Sequence, residues 1–391
     1  TRESALSIKE NAVLQYSTQN RLVTIKDYQS YIKKNYPAVQ SISVWGGEDE
    51  IPPVFGKVFI SIKPKDNYYI GTLEKQKIID EIIKPKSMIS VGCEILDPKY
   101  LYLRLENKIK YNRKKTAYSE EQLRNLIKSA IYSYNDNYLN NFNSIFVLSK
   151  LQDNIDEVDL NSIIGSETVL RLEKRLSPNL NQTETYEINF DVPLHRGTIV
   201  NKLNSSEFKI YDSQDVLRNV ILEEVPESYT GISSINIIDP GTGYTSAPKV
   251  TITGDGYGAE AEAVIVNKRI EKINILNRGI NYTKAVISFS GGEGFGASAL
   301  PILNSRFGTL RTVYFNSAAE RQIINSNAGT IDYNEGLVTI NDIKIMEVNT
   351  SDDLLRITVE AENGIIESHR NTILTIDKTD ATAISTTFIG N

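Results

Sequence analysis

Apolar and polar positions in the first 178 residues alternate between helical and strand-like spacing. Thr24 and Asp27 predict a helix start, because a threonine hydroxyl and a carboxylate can both satisfy the free amides of a first turn. This helix is expected to end before Pro37. The same reading predicts strands over 39–45, 58–62, 89–95, 101–105 and 169–176, and helices over 72–83 (capped by Thr72) and 148–155.

The longest predicted helix of this half begins at Ser119, which forms a capping box with Gln122. One apolar stripe then recurs at spacings of three and four, through Leu123, Ile127, Ala130, Ile131, Tyr134 and Tyr138. The order of the elements favours an open α/β sandwich, in which helices cover one face of a mixed sheet.

After Pro178 the helical spacing disappears, and short strands with Gly, Asn and Ser turns take its place. A domain boundary is therefore expected within 177–184. Residues 331–340 predict a β-hairpin, with Gly336 permitting positive φ at the turn.

A repeat at an offset of 38 residues lies within this second half. The matched segments are Ile235–Ile237 with Ile273–Ile275, Gly241 with Gly279, Tyr244–Thr245 with Tyr282–Thr283, and Gly258–Ala259 with Gly296–Ala297. A unit this short cannot bury its own apolar face, so the two copies are expected to pack together. Tyr244 and Tyr282 are predicted to serve the same packing role in each copy.

These patterns predict an α+β protein with three parts. Residues 1–178 form an α/β sandwich domain, and residues 179–229 with 305–391 form a β-rich domain. Residues 230–304 form an inserted Gly-rich module of two β repeats. The ends of this insertion, residues 229 and 305, are expected to lie close together.

Composition narrows the range of functions. The 391 residues suit two or three domains, and a start at Thr1 rather than Met leads us to expect a fragment or a processed chain. No signal peptide and no apolar run of membrane-spanning length is present. A net charge of −6 argues against a dedicated nucleic-acid binder.

The scarcity of cysteine and histidine excludes further classes of chemistry. With Cys93 as the single cysteine, and His195 and His369 as the two histidines, disulfide frameworks, thiolate zinc sites and most imidazole catalysis are not expected. Cys93 is predicted to be a small core residue, and His195 lies in a predicted turn.

Two Gly-rich segments, 254–258 and 291–296, resemble phosphate-binding loops at first sight. A phosphate loop needs a helix directly after it, whereas strand-like segments follow here, so both are predicted to be tight turns. The acidic residues Asp153, Asp156, Glu157 and Asp159 lack the glycine turn of a calcium loop, and they are expected to form a polar helix end. No catalytic, cofactor-binding or metal-binding residue is assigned.

Residues 57–115 carry a local excess of positive charge, with 14 Lys and Arg against 7 Asp and Glu. Its densest run is Lys108, Lys110, Arg113, Lys114 and Lys115. Two interpretations stay open: a solvated loop and strand end, or an electrostatic dock for an acidic protein surface.

One segment carries a family resemblance. Arg21–Tyr28 with Tyr36–Val39, downstream of Glu3 and Ser4, resembles the "R-x-V-T-x-x-D-Y … P-x-V" pattern of baseplate J-like proteins of contractile phage tails. This resemblance covers about residues 1–178. Together with the β-rich C-terminal half, the chain looks most like the C-terminal part of the baseplate wedge subunit of T4-like phages.

The resemblance implies a structural virion protein rather than an enzyme. Such proteins form the inner ring of the baseplate around the hub and link neighbouring wedges, with like copies and other wedge proteins as partners and with the host cytoplasm as the place of assembly. It implies no cofactor, nucleic acid or membrane. The alternative is a glycan-binding or hydrolytic tail protein, with Tyr244, Tyr257, Tyr282 and Phe295 as candidate sugar-stacking rings.

A homodimer is also predicted, made mainly by the C-terminal β region. Residues 305–391 are rich in Ile, Val and Leu, and the few prolines leave strand edges open. The α/β domain would then be left for other wedge proteins.

Overall fold

The computed structural model describes residues 21–50, 52–197, 201–225, 231–280, 282, 284–304 and 307–390. Strands hold 51% of the chain and helices 16%, so the protein is an α+β protein dominated by β structure. It divides into two compact units, residues 1–172 with 364–391 and residues 173–363. Glu3, Ser4, Thr283 and residues 229 and 305, on which some predictions rest, lie outside the described residues.

The helices lie in the first unit. They are α1 (Ile25–Asn35), α2 (Thr72–Lys77, continued by a π-helical turn, Ile78–Ile83), α3 (Glu120–Tyr138) and α4 (Leu148–Asp156). Strands in chain order are β1 (Val39–Gly46), β2 (Lys57–Pro64), β3 (Gly92–Leu96), β4 (Lys99–Tyr111), β5 (Ile145–Val147), β6 (Ile163–Leu176), β7 (Thr183–Asn189), β8 (Asn204–Ser205), β9 (Phe208–Tyr211), β10 (Leu217–Glu224), β11 (Gly231–Thr242), β12 (Lys249–Gly254), β13 (Tyr257–Val266), β14 (Arg269–Ile280), β15 (Ala285–Ser290), β16 (Phe295–Asn304), β17 (Phe307–Phe315), β18 (Arg321–Asp332), β19 (Leu337–Lys344), β20 (Glu347–Val348), β21 (Leu355–Glu360), β22 (Ile365–Glu367), β23 (Thr372–Thr375) and β24 (Ile384–Gly390).

Two of the three N-cap residues predicted from the sequence cap their helices in the structure. Thr24 forms a capping box with Asp27, and Ser119 forms one with Gln122. Thr72 does not cap α2: it is the first helical residue, and the N-cap is Gly71, which has no side chain to offer. The prediction for Thr72 was therefore wrong by one position, because a threonine can also fill the first helical turn.

The first part of unit one is a three-stranded sheet covered by α1 and α2. Strand β1 pairs antiparallel with β2, and β2 pairs parallel with β3. Side chains from both helices and all three strands form one core: Leu22, Tyr28, Ile32, Val39, Ile42, Val44, Ile60, Ile62, Ile70, Ile78, Ile83 and Ile95. Burying these residues is the main stabilising contribution in this layer.

The second part of unit one is a separate sheet built on β4. Strand β6 lies on one side of β4, and β23 and β24 lie one after the other on the opposite side, both parallel to β4. Buried amides hold this layer together: Asn107 Nδ2 donates to the Ser385 carbonyl at 3.2 Å, and Asn135 Oδ1 accepts from the Ile376 amide at 2.8 Å. The predicted single mixed sheet is thus divided within the described residues: the β1–β3 sheet, the strands around β4 and the β5–β22 pair are separate.

The C-terminal strands give the main departure from the predicted domain layout. Residues 364–391 were expected in the β-rich domain, but they belong to the first compact unit. The cause is the pairing of β23 and β24 with β4, more than 250 positions away in sequence, which no local pattern encodes. The division into three domains otherwise stays a prediction.

The second unit is built on an antiparallel sheet in the order β21-β8-β10-β17-β18-β19-β7. Its centre holds two consecutive buried carboxylates, Glu223 and Glu224. Glu223 forms an ion pair with Lys202 at 2.5 Å and another with Arg311 at 2.8 Å. Burial favours the neutral acid, but these cations more than offset it, so the pKa of Glu223 lies below its usual value.

Within this unit the two repeats exchange strands. Strands β11, β12 and β13 belong to the first copy, and β14, β15 and β16 to the second. Strand β11 pairs with β16 and β13 with β14, while β12 pairs antiparallel with β15. Equivalent positions pair in the same way: Thr242 opposes Phe295, as Ile280 opposes Tyr257. The pairing therefore has the pseudo-twofold relation that the repeat predicts.

The two repeat tyrosines occupy equivalent buried positions. Tyr244 is 3% exposed and Tyr282 is 2% exposed. Each ring lies against the glycine three residues earlier, since a Cβ at Gly241 would come within 2.9 Å of Tyr244 and one at Gly279 within 2.7 Å of Tyr282. Both glycines also have positive φ, +63° and +65°, so the turn and the ring together require glycine.

The chain enters and leaves the repeat region at neighbouring points. The Val225 amide donates to the Thr309 carbonyl at 2.9 Å, and Gly231 opposes Asn304 across the β11–β16 pair. These flanking residues lie on either side of the two predicted ends of the insertion. Their closeness is what an inserted module requires.

Candidate interaction surface

The basic run, for which a solvated loop and a dock were both left open, lies at the end of β4 and in the turn after it. Strand β4 alternates strictly at its end: Ile109 and Tyr111 are buried, while Lys108 and Lys110 are exposed on the opposite face. The turn after the strand adds Lys114 and Lys115, both exposed. We call Lys108, Lys110, Arg113, Lys114 and Lys115 the basic face.

Local hydrogen bonds fix the turn of the basic face. The Asn112 side chain accepts the Lys114 amide at 3.0 Å, and the Asn112 carbonyl accepts the Lys115 amide at 3.1 Å. Arg113 pairs with Glu120 at the start of α3, and Glu120 also accepts from the Tyr111 hydroxyl at 2.7 Å. The hydrogen bond to Glu120 raises the pKa of Arg113, and the hydrogen bond from Arg113 lowers the pKa of Glu120.

Part of the remaining positive charge of residues 57–115 is less available than the sequence indicates. Carboxylates of the same unit neutralise several of these cations: Lys57 pairs with Glu94, Lys75 with Asp97, Lys84 with Asp80, and Arg104 with Asp380. In contrast, Lys108, Lys110, Lys114 and Lys115 make no ion pair with any residue that the structure describes. The basic face therefore keeps four cations that no described carboxylate neutralises.

An open strand edge adjoins the basic face. Strand β24 sets Thr387 beside Lys108 and Ile389 beside Lys110, and Ile389 is 44% exposed. Within the described residues β24 pairs with β4 alone. The face thus combines unpaired cations, an apolar side chain and free backbone groups, which are features of protein–protein contact surfaces. The sequence missed β24 as part of this face because its partner strand is so distant.

The other candidate segments take structural positions in the part of the chain that the structure describes. Segments 254–258 and 291–296 are turns that lead into strands β13 and β16, not into helices. Across the described part of the chain, no group of three or more His, Cys, Asp or Glu side chains is placed to hold a metal ion. Nor does any helix described there have the length and apolar character that crossing a bilayer requires.

Single residues also take structural positions. Cys93 packs against the core of the first sheet with its Sγ 3.9 Å from the Tyr28 hydroxyl, and burial raises the pKa of its thiol, which disfavours the nucleophilic thiolate. Asp156 ends α4, and Asp159 accepts hydrogen bonds from Ser162 and Thr116 that lower its pKa. His195 is exposed, and its amide donates to the Glu360 carbonyl at 2.9 Å.

The four aromatic rings considered for sugar stacking divide into two pairs. Tyr244 and Tyr282 are buried, whereas Tyr257 and Phe295 are 62% and 72% exposed. A groove lined by all four rings is therefore absent. This removes the observation on which the glycan-binding alternative depended.

Two segments of the chain are similar to known baseplate proteins. Residues 24–96 match the family described as baseplate structural protein gp6, C-terminal domain I, and residues 99–175 match gp6, C-terminal domain III. The boundary between the two matches falls between β3 and β4, where the β1–β3 sheet and the strands around β4 also separate.

A similar protein of known name is baseplate wedge protein gp6 of Enterobacteria phage T4, 28% identical over 170 residues. The match covers 43% of this chain and 25% of the relative, so the chain spans about a quarter of the protein it matches. The predicted resemblance to the C-terminal part of a baseplate wedge protein is confirmed.

Proposed function

We propose that this protein is a structural subunit of a contractile phage tail baseplate, located in the virion and assembled in the host cytoplasm. The single observation that carries the proposal is the pair of adjacent gp6 domain matches, the first over the β1–β3 sheet and the second over β4 and β6. A protein with this role needs stable surfaces for neighbours rather than a reaction centre.

The basic face is the surface that we assign to other wedge proteins. Its unpaired lysines would attract an acidic neighbour and set its orientation, whereas apolar contact such as that of Ile389 would hold it. In the inner ring around the hub, such a contact would link one wedge to the next.

Copurification tests the role in the baseplate. We expect a tagged copy to purify with other tail proteins from infected cells. Replacing Lys108, Lys110, Lys114 and Lys115 with glutamine should weaken this association. A matched control replaces Lys33, Lys34, Lys84 and Lys86, which lie on other elements of the first unit, and it should change nothing. Equal recovery of tail proteins with both variants would contradict the assignment of the basic face.

We further propose that the protein forms a homodimer through strands of the second unit. In the predicted C-terminal region, Phe315 and Ile323 on β17 and β18 are 54% and 52% exposed. A stable contact of this kind buries on the order of 2,000 Å². Truncation of 305–391 does not test the dimer contact alone, because it would remove β17 and β18 from one unit and β23 and β24 from the other.

Point substitutions give the sharper test. Light scattering at tens of micromolar should find a dimer for the wild type and a monomer for Phe315→Lys with Ile323→Lys. Ile389→Lys, in the first unit, should remain a dimer. A monomeric wild type would contradict the dimer, and loss of the dimer in Ile389→Lys alone would move the contact to the edge of β24.

A further inference from the structure

A polar pocket of about 240 Å³ lies within the first unit, where the end of β2 meets the end of α3 and the segment after β23. It is separate from the basic face. Its charged lining consists of Lys63, Lys65, Asp66, Asp136 and Lys378. Neither the sequence patterns nor the family matches assign it a role.

Lys63 is unusual in this pocket because it is 5% exposed. Its ammonium donates to the Asn140 carbonyl at 2.9 Å and to the Asn140 side-chain oxygen. Asn140 has φ of +59° and follows the end of α3, so Lys63 also sits at the negative end of a helix dipole. These contacts are to neutral oxygens, and an ammonium has three protons to donate.

The carboxylates of the pocket do not balance its cations. Asp136 forms an ion pair with Lys378 at 2.6 Å, at the exposed rim. Asp66 is exposed, and Lys63 makes no ion pair within the described part of the chain. Three ammonium groups therefore face two carboxylates, and the most buried of the three has none of its own. A buried lysine is usually paired, since desolvating its charge is costly.

We propose that this pocket binds a carboxylate, which pairs with Lys63 at its floor and with Lys65 and Lys378 at its rim. The group would come either from an acidic side chain of a docked protein or from a small free carboxylate. Its volume admits one such group with its short stem, and planar carboxylate oxygens can accept from several ammonium groups at once. Burial lowers the pKa of Lys63 to about 8, and Asp136 opposes that effect only in part, which agrees with an incompletely compensated charge.

Two probes distinguish the sources. Binding is followed by NMR on the full chain, through the lysine Cε signals, with sodium succinate as the free carboxylate and sodium chloride at equal ionic strength as the blank. Acetyl-Gly-Asp-Gly-amide represents a protein side chain, and acetyl-Gly-Asn-Gly-amide is its uncharged match. We expect succinate or the aspartyl peptide to shift the Lys63 signal and to raise its pKa, while the asparaginyl peptide does neither.

Variants separate a binding role from a purely structural one. Lys63→Met should lower the affinity for the effective probe at least about tenfold, whereas Lys57→Met, an exposed lysine paired with Glu94, should leave it unchanged. If Lys63→Met does not fold, Lys65→Met with Lys378→Met leaves the Asn140 contacts in place and should still weaken binding. A Lys63 signal that responds identically to succinate, both peptides and chloride would overturn the proposal.

Discussion

The buried carboxylate of Glu224 is expected to hold the second unit together. It is fully buried on β10 and accepts the amides of Gly197 at 3.1 Å and Leu203 at 2.9 Å. It also accepts a hydrogen bond from the Tyr333 hydroxyl. The Arg196 guanidinium lies over the Tyr333 ring, 4.8 Å from its centre. One side chain thus joins two ends of a loop to a distant hairpin.

Replacing Glu224 by leucine should be strongly destabilising. A hydrogen bond to a charged group contributes about 1.5–3 kcal/mol, and each buried amide left without a partner costs about 1–3 kcal/mol. Because the bonds share one acceptor group, these values do not add fully, and we expect a loss of about 3–5 kcal/mol in the free energy of unfolding. Tyr333→Phe removes one donor and should cost about 1–2 kcal/mol.

Urea denaturation measures these losses, and hydrogen exchange localises them to the amides of Gly197 and Leu203. Glu347→Leu serves as the control, since Glu347 is exposed and pairs with Lys209 at the surface, where such pairs contribute at most about 1 kcal/mol. If Glu224→Leu were no more destabilising than Glu347→Leu, and exchange at the two amides stayed slow, the reasoning about this carboxylate would be refuted.

Three further predictions concern the repeats and the pH dependence of stability. Gly241→Ala and Gly279→Ala should each lower the free energy of unfolding by about 1–3 kcal/mol, and by similar amounts, because both glycines have positive φ and lie against a tyrosine ring. Gly165→Ala is the control: open space surrounds Gly165, so the loss in the same urea titration should be less than about 0.5 kcal/mol. Replacing 230–304 by a short Gly/Ser linker should leave the melting temperature of the remainder nearly unchanged by calorimetry, because the chain ends of the module are adjacent; a large fall would contradict independent folding. Burial lowers the pKa of Lys63 from 10.5 to about 8, so between these values the unfolded chain keeps a proton that the folded chain has lost. The free energy of unfolding should therefore rise with pH between about 8 and 10 in the wild type but not in Lys63→Met. Urea midpoints that change in parallel for the two proteins across that range would contradict this.

Local chemistry explains which parts of the fold were predictable. The capping residues Thr24 and Ser119 act within one helical turn, so their pattern is complete in the sequence. The repeat was predictable for a different reason: two equal copies that cannot bury themselves must pair, and Tyr244 and Tyr282 repeat with them. In the predicted hairpin, Asp332 at the end of β18 pairs with Leu337 at the start of β19.

Long-range pairing explains what was missed. Strand β24 resembles any short polar strand, and its place beside β4 depends on parallel pairing and on the contact of Phe388 with Tyr111, whose ring centres are 5.4 Å apart. The basic face was predicted in composition but not in extent, because ion pairs such as Arg104–Asp380 join residues far apart in sequence. The pocket at Lys63 had no sequence signal, since a buried lysine in a strand looks like an exposed one.

The location of the protein in the particle tests the central proposal most directly. Purified virions labelled with antibodies raised against the second unit, residues 173–363, and viewed by electron microscopy, should carry gold at the baseplate end of the tail. Cryo-electron microscopy of the same tails should then show density for the β1–β3 sheet and the strands around β4 in a ring around the hub. Label along the sheath, at the fibre tips or on the head, with none at the baseplate, would contradict the proposed function.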